Sequence, residues 1–347
     1  MHLSFISAIL AVSGSTLVSA ATIPSPSLAP KLPLSAFNTT AFRGITLEQA
    51  LTGSKPDPNL SIPPSGFKIQ ASCANPRVRV EWDSYSNADR QAFVDGIKCL
   101  LNKPASGRFS QARNRYEDLV ALHQNLTPNV HNNAKFLIWH RYYLWAFEDM
   151  LRTECGFNGA IPWFDETKYS GRFAQSSIFS DQWFGAIALG GNCVTNGQFA
   201  RLTLNVGPGT GNGAHCLARN DNGQLTANAN SQIVNACNSR GDYADMAGCA
   251  ETGAHAWGHN GIGAVMADAA ASPGDPVFFL HHAFIDRNYR IWQNQDPARV
   301  TYINGQDRFG NNLNLDTGVS LGGLRNDVKI RDIINTLDNT LCYKYNY

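Results

Sequence analysis

Four stretches of the chain repeat apolar residues every three to four positions, the spacing of a helix with one buried face. Over 111–124, Tyr116, Leu119 or Val120, and His123 share a stripe. Over 133–153 the stripe is Phe136, His140, Tyr143 or Leu144, and Phe147, with Gly156 just past its end. Over 252–270 it is His255, His259, Ile262 or Gly263, and Met266. Over 276–293 it is Phe278 or Phe279, His282, Ile285 or Asp286, Tyr289 and Trp292, and Pro276 suits a first helical turn. A fifth helix is expected over 88–101, from Phe93, Ile97 and Leu100 or Leu101, and a short one over 45–51. Residues 170–248 are rich in Gly and Asn and read as a long irregular excursion. Residues 22–66 are rich in Pro, Ser, Leu and Thr, which predicts an extended arm rather than core, with a packed domain from about residue 67 to 347. The pattern as a whole predicts a mainly α fold.

Each of the four stripes carries a histidine on its apolar face. Of nine histidines, His2 and His215 stand apart, and the rest fall into two groups: His123, His131, His140, and His255, His259, His281, His282. A lone histidine on such a face is usually a core residue with a hydrogen-bond partner. Four of them on four stripes would each need a separate buried partner, whereas a metal supplies all the partners at once. Imidazole suits Cu, Zn, Ni and Fe, while hard cations want carboxylates. His255 and His259 stand one helical turn apart and can chelate one ion. The zinc-hydrolase pattern would need Glu where Ala256 stands, so its catalytic base is missing. A carboxylate-bridged di-iron bundle would need Glu-x-x-His pairs on two helices. Histidine-only ligation in two groups points to a pair of coppers.

Composition adds a compartment. A mostly apolar run over 5–18 ends in Val18-Ser19-Ala20, which predicts a signal peptide over 1–20, too short to span a bilayer. Eight cysteines with no C-x-x-C pair predict up to four disulfides and an oxidising compartment. Glycosylation sequons occur at Asn38, Asn59 and Asn125. The expected location is therefore extracellular. A net charge of +1, with charges interspersed, gives no surface for nucleic acid or an anionic membrane.

Two ordered motifs carry a resemblance to a known family. Tyr116-Glu117-Asp118-Leu119 leading to His123, then His131 and Phe136-Leu137-Ile138-Trp139-His140-Arg141, resembles the first copper motif of tyrosinases and catechol oxidases. His255-Ala256-Trp257-Gly258-His259, then Asp275-Pro276-Val277-Phe278-Phe279-Leu280-His281-His282, resembles the second. The resemblance covers roughly residues 80–295 and implies a four-helix bundle holding a dicopper site, with long disulfide-stapled loops. It implies that His123, His131 and His140 hold one copper and His255, His259 and His282 the other, with O2 as co-substrate and a small phenol as partner. His281 would then be structural. Glu251 resembles the glutamate that orients a water and helps deprotonate a phenol in some members. Phe278 or Phe279 would lie over the copper pair, and Asp286 would orient a ligand imidazole or pair with Arg287 or Arg290.

The chain also departs from the family. Asn129 stands where many fungal members have a cysteine crosslinked to the second histidine, so no thioether is expected. Ala256 replaces the Asn linked with monophenol hydroxylation, while Asn260 follows His259. These departures favour oxidation of o-diphenols to o-quinones over monophenol hydroxylation. The end of the chain soon after His282 resembles the short secreted fungal type. An o-aminophenol or biosynthetic phenol oxidase is the nearest alternative, and an O2 carrier like hemocyanin a more distant one.

Overall fold

The computed structural model describes Met1 and residues 28–37, 42–52 and 72–347. The expected signal peptide and the sequons at Asn38 and Asn59 lie outside the described residues. Among the described residues the helices are α1 (Leu47–Thr52), α2 (Asn87–Asn102), α3 (Arg115–Val130), α4 (Phe136–Cys155), α5 (Gly223–Thr226), α6 (Ser231–Asn238), α7 (Tyr243–Ala250), α8 (Ala256–Ile262) and α9 (Val277–Gln293). Strands are short: Arg77–Arg79 pairs in parallel with Tyr343–Tyr345, and three other two-stranded pieces lie in the loops. No described helix is long and apolar enough to cross a membrane.

The helix ends follow local chemistry. The Ser86 side chain accepts from Asp89 N at the start of α2, and Asn114 accepts from Glu117 N at the start of α3. That cap moves the start of α3 to residue 115, later than the apolar stripe predicts. The helix then runs through Pro128, which has no N–H to donate, and stops at the extended His131. Gly156, at φ +69°, closes α4 in the left-handed conformation that glycine adopts without strain. At the start of α9, Asp275 accepts from Val277 N and is clamped by Arg219, both side chains fully buried.

The stripe over 252–270 is not one helix. It divides into a π-helical turn (Glu251–His255), α8 and a short 3-10 turn (Ala264–Ala267). Gly253 leaves helical geometry at ψ −117° and Gly263 sits at φ +69°, so glycine breaks the continuity that the apolar rhythm implied.

The core lies where α4 packs against α2, α3 and α9. Phe147 of α4 stacks on Phe279 of α9 at 3.6 Å, and Phe93 and Tyr116 meet that pair edge-on. A buried polar cluster joins α4 and α9 at one end. Arg141 donates to Asp286 at 2.7 Å, and the Tyr343 and Tyr345 hydroxyls donate to the other Asp286 oxygen. Asp286 thus pairs with neither Arg287 nor Arg290 and orients no imidazole. Burial alone would raise its pKa, but Arg141, Arg79 and the two hydroxyls hold it below the usual carboxylate value.

All eight cysteines pair: Cys73–Cys342, Cys99–Cys155, Cys193–Cys216 and Cys237–Cys249. The excursion over 170–248 is less irregular than its composition implies, because it contains α5, α6 and most of α7. The arm also departs from expectation. Its described residues Phe37, Phe42 and Ala50 are buried against the domain.

Candidate metal centre

The four histidine-bearing elements meet along one side of the core. α3 and the turn after it present His123 and His131, α4 presents His140, the π-turn and α8 present His255 and His259, and α9 presents His281 and His282. Ring nitrogens gather into two groups, His123–His131–His140 and His255–His259–His281–His282, with ligand atoms within 4.8 Å of one another in each. The groups adjoin: His140 stacks on His282 at 4.6 Å, and His131 faces His255 at 5.8 Å between ring centroids.

Hydrogen bonds fix the tautomers. The Nδ1 of His123 lies 2.8 Å from Ala270 O, that of His140 2.8 Å from Phe136 O, that of His255 2.9 Å from Glu251 O and that of His259 2.6 Å from Met266 O. A carbonyl oxygen only accepts, so these Nδ1 atoms carry the proton and each Nε2 keeps a bare lone pair. His131 Nδ1 donates in the same way to Glu251 Oε1 at 2.9 Å.

The bare nitrogens then face one another. His123 Nε2 lies 3.2 Å from that of His131 and 3.4 Å from that of His140. His255 Nε2 is buried without a partner. Lone pairs pointed at each other in a dry interior repel, and a cation between them removes the repulsion. Burial, reinforced by the neighbouring imidazoles, favours the neutral form of five rings: it lowers the His123 pKa to about 3 and those of His140, His255, His259 and His282 well below the ordinary value. Neutral, pre-aimed imidazoles are what a copper pair needs, and the site fits it.

His281 and His282 differ in their surroundings. The His282 Nε2 faces that of His259 at 3.2 Å. The His281 Nδ1 is held at 2.5 Å by Glu166, a fully buried carboxylate on the loop after α4. Gly258 makes room for this pair, since a Cβ there would lie 2.5 Å from His281 Cε1 and 2.7 Å from Glu166 Oε2. Glu166 is inconspicuous in the sequence. Its only sequence signal is a carboxylate just after the apolar run Ile161–Phe164, and nothing there links it to His281.

The other singled-out residues sort by contact. Phe278 stacks on His282 at 4.0 Å and meets His123 edge-on, whereas Phe279 belongs to the Phe147 stack. Glu251 does not stand free beside the clusters. Its carboxylate is bonded to His131 Nδ1 and to the Asn132 amide, and its backbone carbonyl holds His255. One residue therefore orients a histidine of each group. Ala256 is fully buried in a small apolar patch with Phe42 and Ala269. The Asn260 amide donates to Phe42 O at 2.7 Å, leaving its Oδ1 unpartnered. Asn129 accepts from Arg308.

Comparison with known proteins agrees with this geometry. Residues 113–295 match the common central domain of tyrosinase. Tyrosinase P of Aspergillus terreus is 28% identical, over 79% of this chain and 93% of its own length. The N-acetyl-6-hydroxytryptophan oxidase of Emericella nidulans is 28% identical, over 80% of this chain and 94% of its own length. Among solved structures, a polyphenol oxidase from Thermothelomyces thermophila superposes with a TM-score of 0.71 at 27% identity, covering 78% of this chain and 89% of that one.

Proposed function

Because the chain belongs to the tyrosinase family, we propose that it is an exported copper oxidase whose preferred substrates are o-diphenols. In this reading His123, His131 and His140 hold one copper, and His255, His259 and His282 the other. His282 is favoured over His281 because its Nε2 faces that of His259 and its ring stacks on His140 of the other group. When bound, a type-3 copper pair takes electrons from the phenol and passes them to O2.

The chain's own residues do the rest. The Nδ1 bonds to Ala270, Phe136, Glu251 and Met266 lock the rings and keep the Nε2 lone pairs aimed inward. Phe278 and Phe136, packed on His282 and His255, exclude water from the space between the clusters. The balance is two catechols and one O2 giving two o-quinones and two waters, so each catechol surrenders two protons and two electrons.

The observation that carries the diphenol preference is the commitment of Glu251. A monophenol needs a base to take its proton before its ring is hydroxylated, and general-base help is typically worth ~100- to 10,000-fold. The Glu251 carboxylate is already engaged by His131 and Asn132, Ala256 offers only a methyl group, and the Asn260 amide is turned to Phe42. Catechols are more acidic and bring two oxygens, so they depend less on that help. Four disulfides and the apolar leader sequence support export.

A substrate panel under O2 with copper-loaded protein tests the reading. Catechols should turn over readily, with tyramine or phenol slow or inert. A monophenol consumed as fast as its matching catechol contradicts the diphenol preference. The similarity to N-acetyl-6-hydroxytryptophan oxidase supports a second reading, a biosynthetic phenol or o-aminophenol oxidase on the same site. Faster turnover of o-aminophenol than of catechol would select it. An O2 carrier would turn over none of these compounds.

A further inference from the structure

Both histidine groups are buried, yet one of their covers is not part of the helical core. Phe42, on the arm that precedes α1, stacks on His259 at 4.3 Å and 17°, and meets His255 edge-on at 5.1 Å and His131 at 5.9 Å. A single side chain thus touches both groups, while the next residue, Arg43, is exposed to solvent. The strap that carries it is held by a short series of contacts. Phe42 O accepts from Asn260 Nδ2, Ile45 N donates to Thr252 O at 2.8 Å, and Trp257 Nε1 donates to Ile45 O at 2.8 Å. Gly44 lies so close to the Trp257 ring that a Cβ would come within 2.3 Å of it. Each of these anchors sits on the segment 252–260 that also supplies His255 and His259.

We propose that the strap Phe42–Ile45 is an aromatic gate over the metal centre, and that Phe42 determines which phenols reach it. The inference rests on the phenol-oxidase reading for its substrates, but its geometry stands apart from that reading. The exposures of the histidines are only 0 to 6%, so a phenol ring reaches them only if some cover moves. Moving Phe278 or Phe136 would disturb α9 or α4, whereas moving Phe42 breaks three hydrogen bonds and a ring contact at the surface. A substrate ring then enters the space the phenyl vacates. The open fraction taxes apparent affinity, and the tax grows with the bulk that has to be admitted.

The test uses the full copper-loaded chain as wild type, Phe42→Ala, Phe42→Leu and Gly44→Ala. One aromatic contact is worth about a 2- to 12-fold population factor. Phe42→Ala should therefore raise kcat/KM for 4-tert-butylcatechol by roughly 10-fold and for catechol by less. Phe42→Leu should fall between wild type and Phe42→Ala. Gly44→Ala keeps the phenyl but pushes the strap off Trp257, so it should shift selectivity in the same direction. Two readouts need no turnover: copper loss to a small chelator should quicken, and hydrogen exchange at the Ile45 amide should lose protection in Gly44→Ala. Wild-type selectivity and wild-type copper-loss rates in both Phe42→Ala and Gly44→Ala would overturn the gate. Faster copper loss with unchanged selectivity would overturn the specificity role of Phe42. If no form of the protein oxidises any phenol, the phenol-oxidase reading fails, and chelator access and amide exchange still judge the gate.

Discussion

Replacing Glu251 by Ala separates what the structure says of this residue from what its place in the sequence implies. Glu251 lies one turn before His255, so by sequence it belongs with the second histidine group. In the structure its carboxylate serves the first, accepting from His131 Nδ1 at 2.9 Å and from the Asn132 amide at 2.9 and 3.1 Å. Its hold on His255 is through the backbone carbonyl, which Ala retains. The substitution leaves the buried His131 donor unpaired, at about 1–3 kcal/mol, while the amide of the exposed Asn132 can turn to water, so the apo protein should lose roughly 1–3 kcal/mol of stability. Loss of a carboxylate that orients a metal-ligating imidazole typically weakens metal affinity by about 10- to 100-fold. That loss should fall on one copper alone. The assay is copper retention against a competing chelator in two single-copper backgrounds. With His259→Ala, where the first group keeps its metal, adding Glu251→Ala should weaken retention by that factor. With His140→Ala, where the second group keeps its metal, it should change little. Equal loss in both backgrounds, or loss only in the second, would refute the assignment of Glu251 to His131.

Three further outcomes follow from the same contacts. Gly258→Ala drives a methyl group into the His281–Glu166 pair and should cost about 1–3 kcal/mol, read as a lower thermal midpoint; an unchanged midpoint would mean the pair yields freely. Ala256→Asn adds an amide beside the clusters and should raise the ratio of monophenol to diphenol turnover; a ratio that stays put or falls would remove position 256 from the explanation. Copper-free protein should lose stability as pH falls below about 6.5, because the unfolded chain then takes up protons that the buried histidines refuse. His123, with a pKa lowered to about 3, should contribute about 2 kcal/mol of that loss by pH 5, and denaturant titrations showing no slope between pH 6.5 and 5 would contradict its buried neutral state.

The helical frame was legible because burial of one helix face writes a 3.6-residue rhythm into the sequence, and histidines on that rhythm are conspicuous. α2, α4 and α9 lie close to where the rhythm puts them. The segment 252–270 misled because rhythm reports which face is buried, not whether the backbone is continuous, and Gly253 and Gly263 interrupt it. Contacts between distant segments left no local mark. Nothing in the sequence joins Asp286 to Tyr343 and Tyr345, Glu166 to His281, or Phe42 to His259. The arm illustrates the limit: its composition is that of an extended segment, and nothing in that composition places Phe42 against the metal centre.

Metal analysis of the purified protein, with single substitutions in each histidine group, tests the central claim most directly. The intact protein should hold two coppers per chain, His140→Ala about one and His259→Ala about one. Copper loss should be much larger for His282→Ala than for His281→Ala. One zinc per chain, or copper content indifferent to both His140→Ala and His259→Ala, would contradict it.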